Sequence, residues 1–428
     1  MLRVSNRCDE RALMPEMVSL EIESIAAGGD GVGRSNGLVV FVPRTAPGDL
    51  VTARIAGKTS FARGALRTVT RPSPVRVDPP CPHYTRDRCG GCQVQHMSYD
   101  SQLRAKRRII RDSLERIGKR KVGEPDIRAS RNEWRYRAKL TLAMRRSHDG
   151  KWIAGLHRYD DPSQVFELED CLITDSRVVA LWRSILGQSR FFPDSQALRG
   201  SVRLTTDGPV FTLIGDARFP MAAELFAAVP ELAALWWENE GGTRRLLHDR
   251  RLHRDARSPG ASFAQINEAV AAELRAHLIE LVTARAPRSV IDAYSGVGEV
   301  AAELARFGAR VTAIELDAEA ANWCASRLPE GSVSVRGRVE TALPAALPAD
   351  AVILNPPRAG LGSTVTDVLE QASPQPALVV YVSCNPATLA RDLSRMPGYQ
   401  IQSLVAFDMF PQTAHVETVC ELVPASLQ

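Results

Sequence analysis

Between residues 17 and 70, apolar and β-branched positions come in short runs, at 18–25, 38–42, 50–55 and 62–70. Runs of this length, alternating or apolar throughout, predict strands. The cluster Gly28-Gly29-Asp30-Gly31-Val32-Gly33 reads as a turn, and Pro43 and Pro47-Gly48 punctuate the next gap. Short, evenly spaced strands predict a small OB-like β-barrel. A Pro- and Cys-rich boundary covers 73–92. The pattern then predicts a helix over 99–117, with Ser98 or Asp100 as N-cap, Gly118 beyond its end, and Leu103, Ile109, Ile110, Leu114 and Ile117 on one side. Residues 128–250 read as mixed and strand-rich, for example at 138–144 and 202–205, with loops at Gly241-Gly242 and 258–260. From Ala264 onward strands at 289–293, 310–315, 351–354 and 377–382 alternate with helices at 267–284, 299–307 and 318–327. Such alternation predicts a doubly wound, Rossmann-like parallel sheet. The expected organisation is multidomain: a barrel over 11–72, a mixed α+β central domain over 73–260, and an α/β domain over 261–428.

A chain of 428 residues is long enough for several domains at roughly 100–200 residues each. Hydrophobic residues make up 44% and charged residues 24%, which argues against wholesale disorder, collagen or coiled coil. No apolar run approaches the ~20 residues that cross a bilayer. Charges at Arg3, Arg7, Asp9, Glu10 and Arg11 leave no apolar segment for a secretory signal, so a cytoplasmic protein without membrane association is expected. The net charge is +5, but residues 101–140 alone hold fourteen Lys or Arg against five Asp or Glu. One concentrated basic stretch predicts a polyanionic partner, with a solvated helix face as the alternative. Phe41 and Phe61, near Arg34, Arg44, Arg63 and Arg67, suit nucleic-acid contact from the barrel, with a purely structural barrel carrying incidental charge as the alternative.

The chain has eight cysteines. Without an export signal a disulfide framework is not expected. Cys81, Cys89 and Cys92 form a tight trio, and Cys171 follows in Glu167-Leu-Glu-Asp-Cys171. Four thiolates can hold zinc or an iron–sulfur cluster, and spacing alone does not choose between them.

Asp292-Ala-Tyr-Ser-Gly296-Val-Gly298 follows a strand and precedes a helix. Glycine lets the backbone turn sharply and approach a ligand. Glu315 ends the next strand, where an acid can bind the two ribose hydroxyls of a nucleoside cofactor. The spacing Gly296-x-Gly298-x-x-Ala301 also fits a nicotinamide fingerprint. Asp292, four residues before the first glycine, favours S-adenosylmethionine, as do the motifs that end the later strands. One of these is Asn355-Pro-Pro-Arg358, a rigid turn at the edge where open α/β sheets bind ligands. This motif is also similar to that of methyltransferases acting on exocyclic amines. The strand at 377–382 ends in Ser383-Cys384-Asn385-Pro386, which places a thiol at the same edge, able to ionise and attack. Glu417, in His415-Val416-Glu417-Thr418, is a candidate general base.

Together these residues define a chemistry. C5 of uracil is a poor nucleophile until a thiolate adds at C6 and turns C5 into an enolate carbon. That carbon can take a methyl group from a sulfonium. A base must then remove the C5 proton so that elimination frees the enzyme. In a structured nucleic acid the target base must also leave its stack.

The motifs Cys81-Pro-His…Cys89-Gly-Gly-Cys92-Gln, Phe263-Ala-Gln265-Ile-Asn267, Tyr381-Val-Ser-Cys384-Asn-Pro-Ala-Thr-Leu-Ala-Arg-Asp392 and Asp408-Met-Phe-Pro-Gln-Thr-Ala-His-Val-Glu417-Thr occur in order. In these the chain resembles the RNA uracil-C5 methyltransferases, especially the ribosomal branch with an N-terminal TRAM domain and a [4Fe-4S] cluster. The resemblance implies that Cys384 is the nucleophile and Glu417 the base. It puts Gln265, Tyr294 and Glu315 at S-adenosylmethionine positions. It makes Cys81, Cys89, Cys92 and Cys171 cluster ligands, favouring iron–sulfur over zinc. Residues 11–72 correspond to the TRAM barrel. Three departures stand out. Asn355 replaces the family's usual Asp. Glu299, also at the cofactor loop, stands where Asn or Thr is common. Seven residues separate Cys81 from Cys89 where five are usual, an insertion a loop absorbs at small entropic cost.

The expectation is therefore a monomeric, S-adenosylmethionine-dependent enzyme making 5-methyluridine, with 23S ribosomal RNA as the leading substrate. Arg135, Tyr136, Arg137 and Lys139 are candidate RNA contacts, Tyr136 being equally a core candidate. The rivals are a transfer-RNA uracil methyltransferase, disfavoured by the barrel and four cysteines, and a non-catalytic RNA-binding relative.

Overall fold

The computed structural model describes residues 16–56, 60–251 and 266–425. Five strands open the chain: β1 (Glu16–Ile25), β2 (Gly31–Ser35), β3 (Leu38–Val42), β4 (Leu50–Ala56) and β5 (Phe61–Arg71). They close into a barrel in the order β1-β2-β3-β5-β4, with β3 parallel to β5. Alternate residues fill it, including Val18, Leu20, Ile22, Val40, Val42, Val51 and Ile55. The strand β2 lies where the glycine cluster predicts a turn. A Cβ at Gly31 would lie 2.0 Å from Thr45 Oγ1, and one at Gly33 would lie 2.3 Å from the Glu21 carbonyl oxygen. These glycines permit close approach of neighbouring backbone inside a strand. Phe61 is half exposed and meets Phe41 edge to face.

A short helix α1 (Pro82–Thr85) and a long helix α2 (Tyr99–Arg116) follow, then β6 (Asp126–Arg128). Ile109, Ile110 and Leu114 of α2 are buried as the pattern predicts, but so are Ser101, Gln102 and Lys106. Ile117 is 46% exposed. The next strands are β7 (Lys139–Arg146), β8 (Trp152–His157), β9 (Val165–Glu167), β10 (Ala197–Thr205), β11 (Gly208–Ile214), β12 (Ala234–Glu238) and β13 (Arg244–Asp249). They form one sheet, order β13-β12-β11-β10-β7-β8-β9. Helices α3 (Ser176–Gly187) and α4 (Ala222–Ala228) help to cover its apolar face, around Trp182 and Phe211.

The remaining helices are α5 (Glu268–Thr283), α6 (Glu299–Arg306), α7 (Ala318–Arg327), α8 (Val339–Ala346), α9 (Ser363–Gln371) and α10 (Pro386–Ser394). The strands among them are β14 (Ser289–Ala293), β15 (Arg310–Glu315), β16 (Val333–Arg336), β17 (Ala351–Leu354), β18 (Leu378–Ser383), β19 (Tyr399–Phe407) and β20 (Glu417–Pro424). They build a third sheet, order β16-β15-β14-β17-β18-β20-β19-β6. Its middle strands are buried on both faces, as the unbroken apolar sequence of β17 and β18 requires. β6, from the segment 73–260, joins this sheet, and Ile110 and Leu114 of α2 sit in one of its two cores. Sheet membership therefore crosses the boundary expected from sequence.

Strands β14 to β18 run parallel, and β20 returns antiparallel beside β18. The chain moves outward from β14 to β16, then resumes on the other side at β17. This reversal leaves a crevice beyond the carboxyl ends of β14 and β17, the place where such sheets bind ligands. Asp392 of α10 ties the loop after β17 to β18. Its buried carboxylate accepts from Tyr381 Oη (2.7 Å), Leu361 N (2.8 Å) and Arg391 Nε (2.9 Å). Among the described residues, no helix is long and apolar enough to cross a membrane. A Tyr381→Phe variant is expected to lose about 1–3 kcal/mol in urea unfolding, because a buried carboxylate oxygen forfeits a donor.

Candidate active site

The β18–β20 ladder pairs Val382 with Val419 and Ser383 with Thr418. Continued by one rung, this register puts Cys384 opposite Glu417. Directly opposed residues on antiparallel strands lie about 4.5–5.5 Å apart at Cα. Cys384 is half-buried, at the start of α10, where Asn385 Oδ1 accepts from Ala387 N at 3.1 Å. The positive end of a helix favours a thiolate nearby. Burial nevertheless raises the thiol above its ordinary range, and the Glu417 charge raises it further. Glu417 is 6% exposed, and burial pushes its carboxyl up to about 8.

One cation opposes both shifts. The guanidinium of Arg358, at the end of the Asn-Pro-Pro-Arg turn, lowers the pKa of Cys384 and of Glu417. It donates to the ring of His415 at 3.0 Å, and the side chains of Asn385 and Thr388 donate to its carbonyl at 3.5 Å. Burial first, and then Arg358, holds His415 down to about 4, so its neutral ring serves as an acceptor. The sequence reading did not assign Arg358. The available signal was its place, a cation two residues past a strand-end Asn-Pro at the ligand edge. A thiol, a carboxyl group and a shared guanidinium at one sheet edge can provide a nucleophile and a proton acceptor.

The cofactor-loop residues gather at the same edge. Glu315 Oε2 accepts from Gly296 N at 2.8 Å, and Oε1 accepts from Asp317 N at 2.7 Å, so the acid braces the glycine loop. Tyr294, Gly296 and Gly298 all have positive φ. At Gly298 a Cβ would also meet Cys324 Sγ at 2.3 Å. Asn355 is exposed at the end of β17, and its N–H donates to the Ala293 carbonyl at 3.3 Å. Asp292 is buried and pushed up to about 7, by burial first and by Glu315 last. Its Oδ2 and the hydroxyl of Ser295 are buried without a hydrogen-bond partner. Orphaned buried polar atoms beside an open glycine turn suit a polar ligand. Glu299, expected at the cofactor, pairs with Arg275 of α5. Gln265 lies outside the described residues.

Cys81, Cys89, Cys92 and Cys171 are all buried and line one cavity of about 250 Å³. Burial raises Cys81, Cys89 and Cys92, and neighbouring cysteine sulfurs raise each of them further. Among the described residues, no three His, Cys, Asp or Glu converge as ligands of a single metal ion would. The four sequence-predicted ligands therefore share a chamber, but a single-ion centre is not formed.

Much of the basic stretch is used internally. Lys106 is buried against Asp408, and Arg120 donates to the carbonyls of Tyr399, Leu393 and Met396. Arg135 pairs with Asp170, and Tyr136 is core, its hydroxyl donating to the Pro411 carbonyl at 2.9 Å. Arg44 of the barrel stacks on Tyr84 and donates to the Cys89 carbonyl. Lys139 stands exposed with Arg137, Arg203 and Arg244 around it.

Residues 344–423 match the tRNA (uracil-5-)-methyltransferase family. An uncharacterized RNA methyltransferase of Gloeobacter violaceus is 31% identical, covering 96% of this chain and 97% of that one. Another, from Listeria monocytogenes, is 30% identical over 95% of this chain and 97% of its own. A crystal structure of a Pyrococcus abyssi tRNA (uracil-54, C5)-methyltransferase, in complex with S-adenosyl-L-homocysteine, shares the fold. It superposes with a TM-score of 0.67 at 23% identity, covering 96% of this chain and 100% of that one.

With Cys384 and Glu417 both holding protons at neutrality, kcat/KM for any reaction that uses them should rise from pH 7 to 9. Arg358→Gln removes the charge that favours both ionised forms. It should move that rise upward by about one unit and slow iodoacetamide labelling of Cys384 at pH 7 about tenfold, read by peptide mass spectrometry.

Proposed function

The chain belongs to the RNA uracil-C5 methyltransferase family, and from that premise we propose that it methylates C5 of uridine in RNA, with 23S ribosomal RNA as the substrate, through Cys384 and Glu417. The observation that carries the mechanism is the β18–β20 register, whose last pair, Ser383 with Thr418, brings the next residues, Cys384 and Glu417, close enough for the carboxylate to act on the thiol. In this reading Cys384, as thiolate, adds to C6 of the uracil ring, and C5 becomes the nucleophilic carbon. S-adenosylmethionine, when bound, supplies the electrophilic methyl group. Glu417 then accepts the C5 proton, the C5–C6 double bond re-forms, and the sulfur leaves C6. Arg358 stabilises the thiolate before addition and after release, and His415 orients that guanidinium. The buried setting of Glu417 makes it a better proton acceptor than an ordinary carboxylate, in line with general-base tuning.

The glycine loop with Tyr294, Glu315 and Asp292 is the proposed cofactor crevice, with Gln265, Glu299 and Asn355 as further candidates. Glu299 has first to leave Arg275. The four cysteines would hold a [4Fe-4S] cluster. What supports this reading is that all four thiols line one chamber, and an all-thiol donor set suits an iron–sulfur cluster. Such a cluster would join the segment after the barrel to the central sheet. The proposed enzyme is a cytoplasmic monomer, with the barrel and the Lys139 region holding phosphates.

The Pyrococcus fold spans this whole architecture. The barrel therefore does not by itself separate ribosomal from transfer RNA, and the substrate is decided by assay. Methyl transfer to 23S rRNA fragments but not to transfer RNA, together with loss of a 5-methyluridine from ribosomal RNA in cells lacking the chain, is the expected result. The reverse preference would make this a transfer-RNA enzyme. Cys384→Ala should abolish both methylation and the covalent adduct with 5-fluorouridine RNA; methylation that persists unchanged would sink the catalytic reading. Asn355→Asp restores a negative charge at the cofactor edge and should raise single-turnover methylation by up to about tenfold, equivalent to ~1.4 kcal/mol of barrier. An unchanged rate would mean that the charge plays no part.

A further inference from the structure

Glu417 is the first residue of β20, and it follows the 408–416 connection from β19. That connection is held largely from outside its own sheet. Asn267 Nδ2 donates to the Met409 carbonyl at 3.4 Å, and Lys106 Nζ donates to that of Phe410 at 3.0 Å. Tyr136 Oη donates to the Pro411 carbonyl at 2.9 Å, and Val94 N donates to that of Gln412 at 3.2 Å. Gln412 has a left-handed φ of 69° and is 2% exposed. A non-glycine residue persists in that conformation only where its surroundings hold it there.

Gln102 of α2 does the holding. Its Oε1 accepts from Gln412 N at 2.9 Å, and its Nε2 donates to Gln412 Oε1 at 2.9 Å and to the Met97 carbonyl at 3.0 Å. One turn further along α2, Lys106 is 1% exposed and pairs with fully buried Asp408, where the connection begins. Polar groups so deeply buried on an amphipathic helix are costly unless paired, and both find their partners in this one connection. Cys384, by contrast, is placed by β18 and by the cap of α10.

We propose that Gln102 and Lys106 are positioning residues that set the Glu417 carboxylate against the reacting carbon, and that they govern proton removal without governing thiol addition. The inference rests on reading Glu417 as the base. In the step concerned, the C5–H bond breaks and its proton passes to the Glu417 carboxylate. The electron pair left on C5 forms the C5–C6 double bond, the C6–S bond breaks, and Cys384 departs as thiolate. A misplaced carboxylate would stall the reaction after methyl transfer, with RNA still bonded to the protein.

The test follows the covalent protein–RNA complex on denaturing gels, using full-length protein, uridine-containing RNA substrate and S-adenosylmethionine. Glu417→Gln is the reference for a blocked elimination. Gln102→Leu, and Lys106→Met combined with Asp408→Asn to avoid a stranded charge, should accumulate about tenfold more complex at steady state than the parent. The rate at which the complex first appears should stay within about twofold. Gln102→Glu keeps the side-chain volume and the acceptor for Gln412 N but loses the donor to Gln412 Oε1. It should give the same partition and serves if the leucine variant does not fold, as judged by circular dichroism. Complex formation and turnover falling together, or neither changing, would overturn the proposal and leave the Glu417 reading intact. If Glu417→Gln itself accumulates no complex, the base assignment fails and this inference falls with it.

Discussion

The antiparallel register between β18 and β20 is the constraint from which the site follows. Parallel strands deliver only their carboxyl ends to the ligand edge. A reversed neighbour delivers its beginning there as well, so residues far apart in the chain meet on adjacent strands. Ser383 opposite Thr418 makes Cys384 and Glu417 neighbours. A slip of one residue would turn every side chain of β20 to the other face. The buried sequence of β18 and β20, held between two apolar cores, makes such a slip costly.

That placement creates an electrostatic conflict, since a thiolate and a carboxylate in a poorly solvated setting each disfavour the other's charge. Arg358 moderates the conflict by acting on both. The turn that presents Arg358 is fixed by two prolines and by the carboxylate of Asp392, which also receives the Tyr381 hydroxyl. The cation is therefore placed by the strand that supplies the thiol, through a buried acid away from the reacting groups.

Buried polar contacts also join the three parts of the chain. Arg44 carries the barrel onto Tyr84 and Cys89, Lys106 carries α2 onto Asp408, and Arg120 receives the end of α10. Buried ion pairs contribute little net stability against an apolar alternative, yet losing one partner is expensive. Their effect here is to fix how the parts meet. A good share of the positive charge between residues 101 and 140 thus serves architecture, and less of it is left at the surface than the sequence implies.

The sequence by itself determined β14, β15, β17 and β18 of the C-terminal sheet and the helices α5, α6 and α7, and it located the glycine loop, the thiol and the acid at strand ends. Each of these is written locally, as an apolar run with a turn residue at its end. It also determined four of the five barrel strands. β2 escaped because glycines that admit a close neighbour look the same in one dimension as glycines that make a turn. Tertiary structure alone decided what crosses between segments. It set β6 and α2 onto the C-terminal sheet, Arg358 between two groups about 26 and 59 residues away along the chain, Glu299 onto Arg275, and Gln102 and Lys106 into the core. A side chain's charge and hydrogen-bonding capacity can be read from its letter. The partner that uses them depends on which surfaces the fold brings together, and in this chain those surfaces come from elements well separated in sequence.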